Sequence, residues 1–174
     1  MEKDLSLNQN DLPFWIGFNF FEGIGPLRFK LLLDYFGSAR KAWSASRKEL
    51  IEIGLGKKLT DRFLKFRRIF DPNQIKIENN LLLKFPNEGQ QKYFWRDQPA
   101  KQYQRSDSGP IFVLSWMDNL YPERLKQIDA SPPLIYFKTY SSDNAVKKVG
   151  KLFEKPATAV VGTRRVTNYG RQVT

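Results

Sequence analysis

Apolar residues recur with two different periods along this chain, and a stretch with neither period separates them. Residues 12–70 carry the helical pattern. LPFWIGFNFF is too apolar for a surface element and predicts a buried first helix. In GIGPLRFKLLLDYFGS, Gly23 and Gly25 set a tight turn, Pro26 suits the first helical position, and Gly37 suits a C-terminal cap. Leu27, Leu31 and Tyr35, with Leu32 and Phe36 beside them, keep helical spacing between those signals. SASRKELIEIG opens a further helix, with Ser46 and Glu49 at the separation of a capping box. GLGKKLTDRFLKFRRIF repeats the plan with a Gly-x-Gly turn and a helix that is basic on one side.

Asp71-Pro72 closes the helical region, and IKIENNLLLKF can be read as helix or strand. Residues 86–110 are rich in Gln, charge, Pro and Gly without periodicity, which predicts a linker or a surface insertion. There Tyr93, Phe94 and Trp95 stand among Lys92, Arg96, Lys101 and Arg105, either to stack on unpaired bases or to tether the loop to the core. From Ile111 the pattern becomes α/β. IFVLSW reads as a short buried strand. MDNLYPERLKQI begins a helix, with Pro122 in its first turn and Leu125 and Ile128 facing inward. Ser-Pro-Pro blocks continuation, LIYF is a second strand, residues 145–155 a basic helix or loop, and ATAVV a third strand. The expected organisation is a helical domain over 1–85, a linker or insertion over 86–110, and the start of an α/β domain over 111–174.

Composition narrows the function classes. With 41% hydrophobic residues, including 14 Phe, 7 Tyr and 4 Trp, the chain can build a packed core. No apolar run approaches the roughly 18 to 20 residues of a membrane span, so no membrane partner is expected. MEKDLSLNQNDLPF lacks the basic-then-apolar order of a secretory signal, which points to the cytoplasm. Cysteine and histidine are absent, which excludes disulfides, thiolate and imidazole metal sites, and Cys-His or Ser-His-Asp catalysis within these residues. No catalytic residue, metal or cofactor is assigned. Glu52 and Asp61 form a carboxylate pair that reads as part of a solvated face.

Charge points the other way, toward a ligand. Lys plus Arg outnumber Asp plus Glu by 29 to 18, giving +11. The excess is concentrated late, since residues 145–174 carry seven basic side chains against Glu154 alone. Such a tail suits a polyanion, because each neutralised phosphate releases counterions. The same residues hold an anion-type motif, PATAVVGTRRVTNYGRQVT. Gly162 ends an apolar strand, Thr163 and Thr167 place hydroxyls where the next helix starts, and free N–H groups there favour anions. Arg164 adds a planar cationic fork, with Arg165 in support, and Gly170 lets the helix pack close to the sheet. The motif matches neither G-x-G-x-x-G nor the P-loop. The turns at Gly23/Gly25 and Gly54/Gly56 resemble helix-hairpin-helix turns, whose amides approach a nucleic-acid backbone. Gly23 and Gly25 are therefore secondary candidates, although the same glycines can serve only to turn a SAM-like helical domain.

Taken in order, GIGPLRFKLLLDYFGSARKAW, LYPERLKQIDASPPLIYFK and AVVGTRRVTNYGRQ resemble the front half of the DNA-processing protein A family (DprA, also called Smf). Tyr121, Pro122, Leu125, Pro132, Pro133 and Tyr136 meet one family pattern, and Gly162, Thr163, Arg164, Thr167, Tyr169 and Gly170 meet another. The resemblance implies a SAM-like helical domain followed by the truncated start of a Rossmann-like, parallel-sheet domain. It further implies binding of single-stranded DNA, protection of incoming strands in natural transformation, help in loading the RecA recombinase, and a homodimer in the complete protein. The Gly-Thr-Arg loop would meet backbone phosphates. Departures are the continuation FKTYSSDN after LIY, the stretch 86–110, and the absence of later family motifs. The chain is accordingly expected to be a fragment of a longer product. Two other readings stand beside this one: an enzyme acting on nucleotides through a Rossmann-like phosphate site, and a protein-interaction module built on the helical domain.

Overall fold

The computed structural model describes residues 10–84, 110–139, 151, 153 and 155–156. Five α-helices lead: α1 (Leu12–Phe20), α2 (Pro26–Phe36), α3 (Ala39–Ser44), α4 (Arg47–Glu52) and α5 (Lys57–Ile69). A 3₁₀ turn at Pro72–Gln74 and strands β1 (Lys76–Glu78), β2 (Leu81–Lys84) and β3 (Ile111–Ser115) come next, then α6 (Glu123–Lys126) and β4 (Leu134–Lys138). None of the described helices is long and apolar enough to cross a membrane.

Helix α1 is apolar at every position but the exposed Asn19, and Leu12 and Phe14 through Phe18 are buried by the elements around it. Phe18 stacks on Phe63 of α5 at 5.1 Å and meets Trp43 of α3 edge-on at 5.2 Å. Trp15 meets Phe29 of α2 at 4.9 Å and Trp116, just after β3, at 5.9 Å. One cluster of buried side chains therefore runs from Leu12 through Phe70 to Val113 and Leu134.

Local signals set the helix ends. Pro26 occupies the first turn of α2, and Gly37 ends it at φ +77°, with its N–H bonded to Leu33 O. Ser46 and Glu49 close the capping box on α4 from both sides, Glu49 N to Ser46 Oγ at 3.3 Å and Ser46 N to Glu49 Oε2 at 2.7 Å. The spacing of Leu27, Leu31 and Tyr35 does lie on a helix, but that stripe faces outward. Phe29, Leu32 and Leu33 are the buried side of α2.

The segment IKIENNLLLKF resolves as a hairpin. Asn79 and Asn80 both take positive φ, 48° and 66°, which gives a two-residue turn the twist that joins β1 to β2. The four strands form one sheet in the order β1-β2-β3-β4, and every pairing is antiparallel. This corrects the parallel arrangement expected for IFVLSW and LIYF. A parallel partner needs a crossover that carries the chain back along the sheet. Here residues 116–133 fold into turns, with the single-turn α6 as their only helix, and the chain re-enters where it left, with Ser115 opposite Leu134. Ile128, expected to face inward, is 51% exposed; Tyr121, Ser131 and Pro133 are the buried residues of this connection. The third strand expected at ATAVV lies outside the described residues, as does the stretch 86–109.

Candidate nucleic-acid interface

Gly162, Thr163, Arg164, Arg165, Thr167 and Gly170 lie outside the described residues. What is described of the adjoining segment is its framework, β3 and β4 with the connection between them. Asp118 closes the end of β3: Oδ2 accepts from Ser115 N at 2.6 Å and Ser115 Oγ at 2.7 Å, and Oδ1 accepts from Asn80 Nδ2 at 3.0 Å. Asn80 Nδ2 also donates to Val113 O at 2.8 Å, which fastens the β1–β2 turn to β3. Farther along, Tyr121 donates to Pro132 O and lies 2.9 Å from Ser131 Oγ, which in turn accepts from Trp116 Nε1 at 3.2 Å. Burial raises the Tyr121 hydroxyl above its ordinary pKa, while its hydrogen bonds act against that rise. The hydroxyl is a structural clamp. Near the far end of the described chain, Lys151 and Lys155 are exposed.

The two Gly-x-Gly turns share a plan, since each buries its middle residue, Ile24 in the first and Leu55 in the second. They differ in what surrounds them. Gly23 has φ +122°, and a Cβ there would stand 2.6 Å from Leu59 Cδ1, so a side chain of α5 fills the first turn. Two guanidinium groups hold the carbonyls of that turn, with Arg28 Nη1 donating to Gly23 O at 2.8 Å and Arg62 Nη2 to Glu22 O at 3.2 Å. Gly25 precedes α2 in extended conformation with nothing within 4 Å of a Cβ. At the second turn Gly54 and Gly56 take φ +95° and +78°, and a Cβ on either would also meet nothing within 4 Å. Glycine is required there by backbone conformation, and the turn itself stands open to solvent.

Helix α5 starts from this second turn and carries six basic side chains and one acidic one. Arg67 points inward: its Nη1 donates to Trp43 O and, at 2.8 Å, to Ala45 O, so it satisfies carbonyls left open at the end of α3. Burial lowers its pKa, and its guanidinium lies 5.7 Å from the Phe63 ring centroid. Asp61 is bound by the Arg47 fork at 2.8 and 3.2 Å, and this pairing holds its carboxyl below the usual range. Glu52 faces Lys48 at 3.8 Å. Both carboxylates of the pair noted in the sequence thus sit on the surface opposite cations. Lys57, Lys58, Lys65 and Arg68 are exposed and make no salt bridge among the described residues. The sequence shows this helix as basic on one side; the inward turn of Arg67 and the neutralisation of Asp61 come only from the packing.

Residues 112–174 match the family model described as DNA recombination-mediator protein A. Protein Smf of Synechocystis sp. is 26% identical over 172 residues, which is 95% of this chain and 34% of that protein. The chain therefore spans about a third of the length of this curated relative. No solved structure gives a significant match.

Proposed function

We propose, from the chain's similarity to the DprA/Smf family, that it serves as part of a DNA recombination mediator that binds single-stranded DNA. In this reading it protects incoming strands in transformation and helps load the RecA recombinase, acting in the cytoplasm as part of a homodimer. The observation that carries the reading is the family match over residues 112–174, because that segment includes the stretch GTRRVTNYG. Arg164 makes the principal phosphate contact, supported by Arg165, the Thr163 and Thr167 hydroxyls, and the free amides of the following helix start. Gly162 and Gly170 allow close approach of the backbone. The chemistry is binding without bond-making.

The test is fluorescence anisotropy with labelled oligo-dT across a salt series. Arg164→Ala should weaken binding severalfold and make the dependence of log K on log salt shallower by about one contact. Unchanged affinity and slope would remove Arg164 from the interface and, with it, the basis of this reading.

One observation favours a second reading, a protein-interaction module built on the helices. The outer face of α2 exposes Leu27, Leu31 and Tyr35 in a single stripe. Retention of a protein partner by residues 1–85 without DNA binding would support it.

A further inference from the structure

We propose that the outer face of α5 is a second DNA contact, one that meets backbone phosphates only and prefers duplex to single strands. It rests on the reading that the partner of this chain is DNA, and assigns a different surface and a different form of that ligand.

Charge geometry carries the inference. Thr60 and Phe63 are buried and Arg67 is bonded into the fold, so the opposite arc of the helix holds Lys57, Lys58, Asp61, Arg62, Lys65 and Arg68. Asp61 is the single acidic group on that arc, and Arg47 from α4 offsets it. Arg62 is exposed even while it donates to Glu22 O. The surplus of cations is therefore left facing solvent along all 13 residues of the helix. At about 1.5 Å rise per residue that face is about 20 Å long. A duplex presents one phosphate per about 1.7 Å of its axis, so a face of this length spans on the order of ten charges.

The arc also lacks what single strands need. Unpaired bases are held by stacking on aromatic rings, and the exposed positions of α5 carry none; its one large apolar group in the open is Ile69. Cations without a stacking platform respond to phosphate density, which is higher along a duplex. The turn at the head of the helix fits the same ligand. Gly54 and Gly56 put no side chain in the way, and no side chain caps the first amides of α5. The other Gly-x-Gly turn is filled by Leu59, so the two turns are not equivalent.

The experiment compares the full chain with the variant Lys58→Glu/Lys65→Glu/Arg68→Glu and with Arg164→Ala. Anisotropy is read on oligo-dT and on a duplex of about 20 base pairs over a salt series. The α5 variant should lose about tenfold or more in duplex affinity, with a salt slope shallower by about two to three, while oligo-dT binding changes far less. Unchanged duplex affinity, or an equal loss on both ligands, overturns the inference while leaving the Arg164 reading in place. If the unaltered chain binds neither ligand at low salt, both readings fall. Should circular dichroism show that the reversed charges unfold the chain, the neutral set Lys58→Gln/Lys65→Gln/Arg68→Gln replaces it, with the same duplex-selective loss required.

Discussion

The phenolic hydroxyl of Tyr121 donates to the carbonyl oxygen of Pro132 at 2.6 Å, and this bond ties the start of the β3–β4 connection to its end. It closes the connection that returns the chain to the same end of the sheet, where Ser115 stands opposite Leu134. With Ser131 Oγ 2.9 Å away, the hydroxyl has two polar neighbours in a buried position. Tyr121→Phe keeps the ring and removes the bond, leaving buried oxygens short of a donor. We expect a loss of about 1–2 kcal/mol in urea unfolding. An unchanged midpoint would show that the loop closes without the clamp.

Asp11 does comparable work for the helices. Its Oδ2 accepts from Ala39 N at 2.9 Å and from Trp15 Nε1 at 3.1 Å, while Oδ1 accepts from Arg40 N at 2.7 Å. One carboxylate thus satisfies the first amides of α3 and orients a core tryptophan of α1. Asp11→Ala should destabilise by about 1–2 kcal/mol, in the upper range for a lost N-cap, because two helices lose a common anchor. Thermal unfolding measures it, and Asp11→Asn should recover only part of the loss, since a neutral amide accepts more weakly than a carboxylate.

Asp11 also marks where sequence reading stops. Pro26, Gly37 and the Ser46–Glu49 box were legible because each acts within a turn of its own helix. The bond from Asp11 to α3 spans 28 residues and has no local signature. The spacing of Leu27, Leu31 and Tyr35 predicts a helix correctly, yet spacing alone cannot say which of two apolar stripes meets the core, and Phe29, Leu32 and Leu33 do. Short apolar runs such as IFVLS and LIYFK announce strands without their direction, because direction is set by the connection between them, here through Tyr121 and Pro132. For the candidate sites, the basic side of α5 was visible in its composition. Arg67 and Lys65 look alike in the sequence, and only packing separates the carbonyl clamp from the solvent-facing cation. The stretch from Gly162 to Gly170, read in the sequence as an anion motif, falls within the family-matched segment.

Gly17 offers a test of that packing. In a helix interior, replacing glycine by alanine ordinarily stabilises by up to about 1 kcal/mol. Here a Cβ would stand 2.8 and 2.9 Å from two atoms of the Trp43 ring and 3.3 Å from Pro72 Cγ. Trp43 is itself held between Phe14, Phe18 and Phe63, so it has little room to retreat. Gly17→Ala should therefore destabilise, by about 1–3 kcal/mol as an overpacked core does, and should shift tryptophan emission. A stabilised variant would mean that α1 and α3 sit farther apart than this contact requires.

Acid should weaken the α4–α5 corner first. The Arg47 hydrogen bond holds the Asp61 carboxyl below its ordinary pKa, and the Ser46 hydroxyl and then its amide do the same for Glu49. A carboxyl lowered in the folded state contributes stability that is fully present above its unfolded pKa and is lost as pH falls through the lowered value. The window thus opens near pH 4, the usual carboxylate range, and extends below it. Both groups are on the surface, so each effect is small and screened by salt. Urea midpoints followed from neutral pH downward should show Asp61→Asn less stable than the unaltered chain above that window, with the gap closing as pH falls within it. Added salt should narrow the gap at neutral pH. A gap that stays constant through the acid range would mean that Asp61 owes its effect to something other than its charge on Arg47.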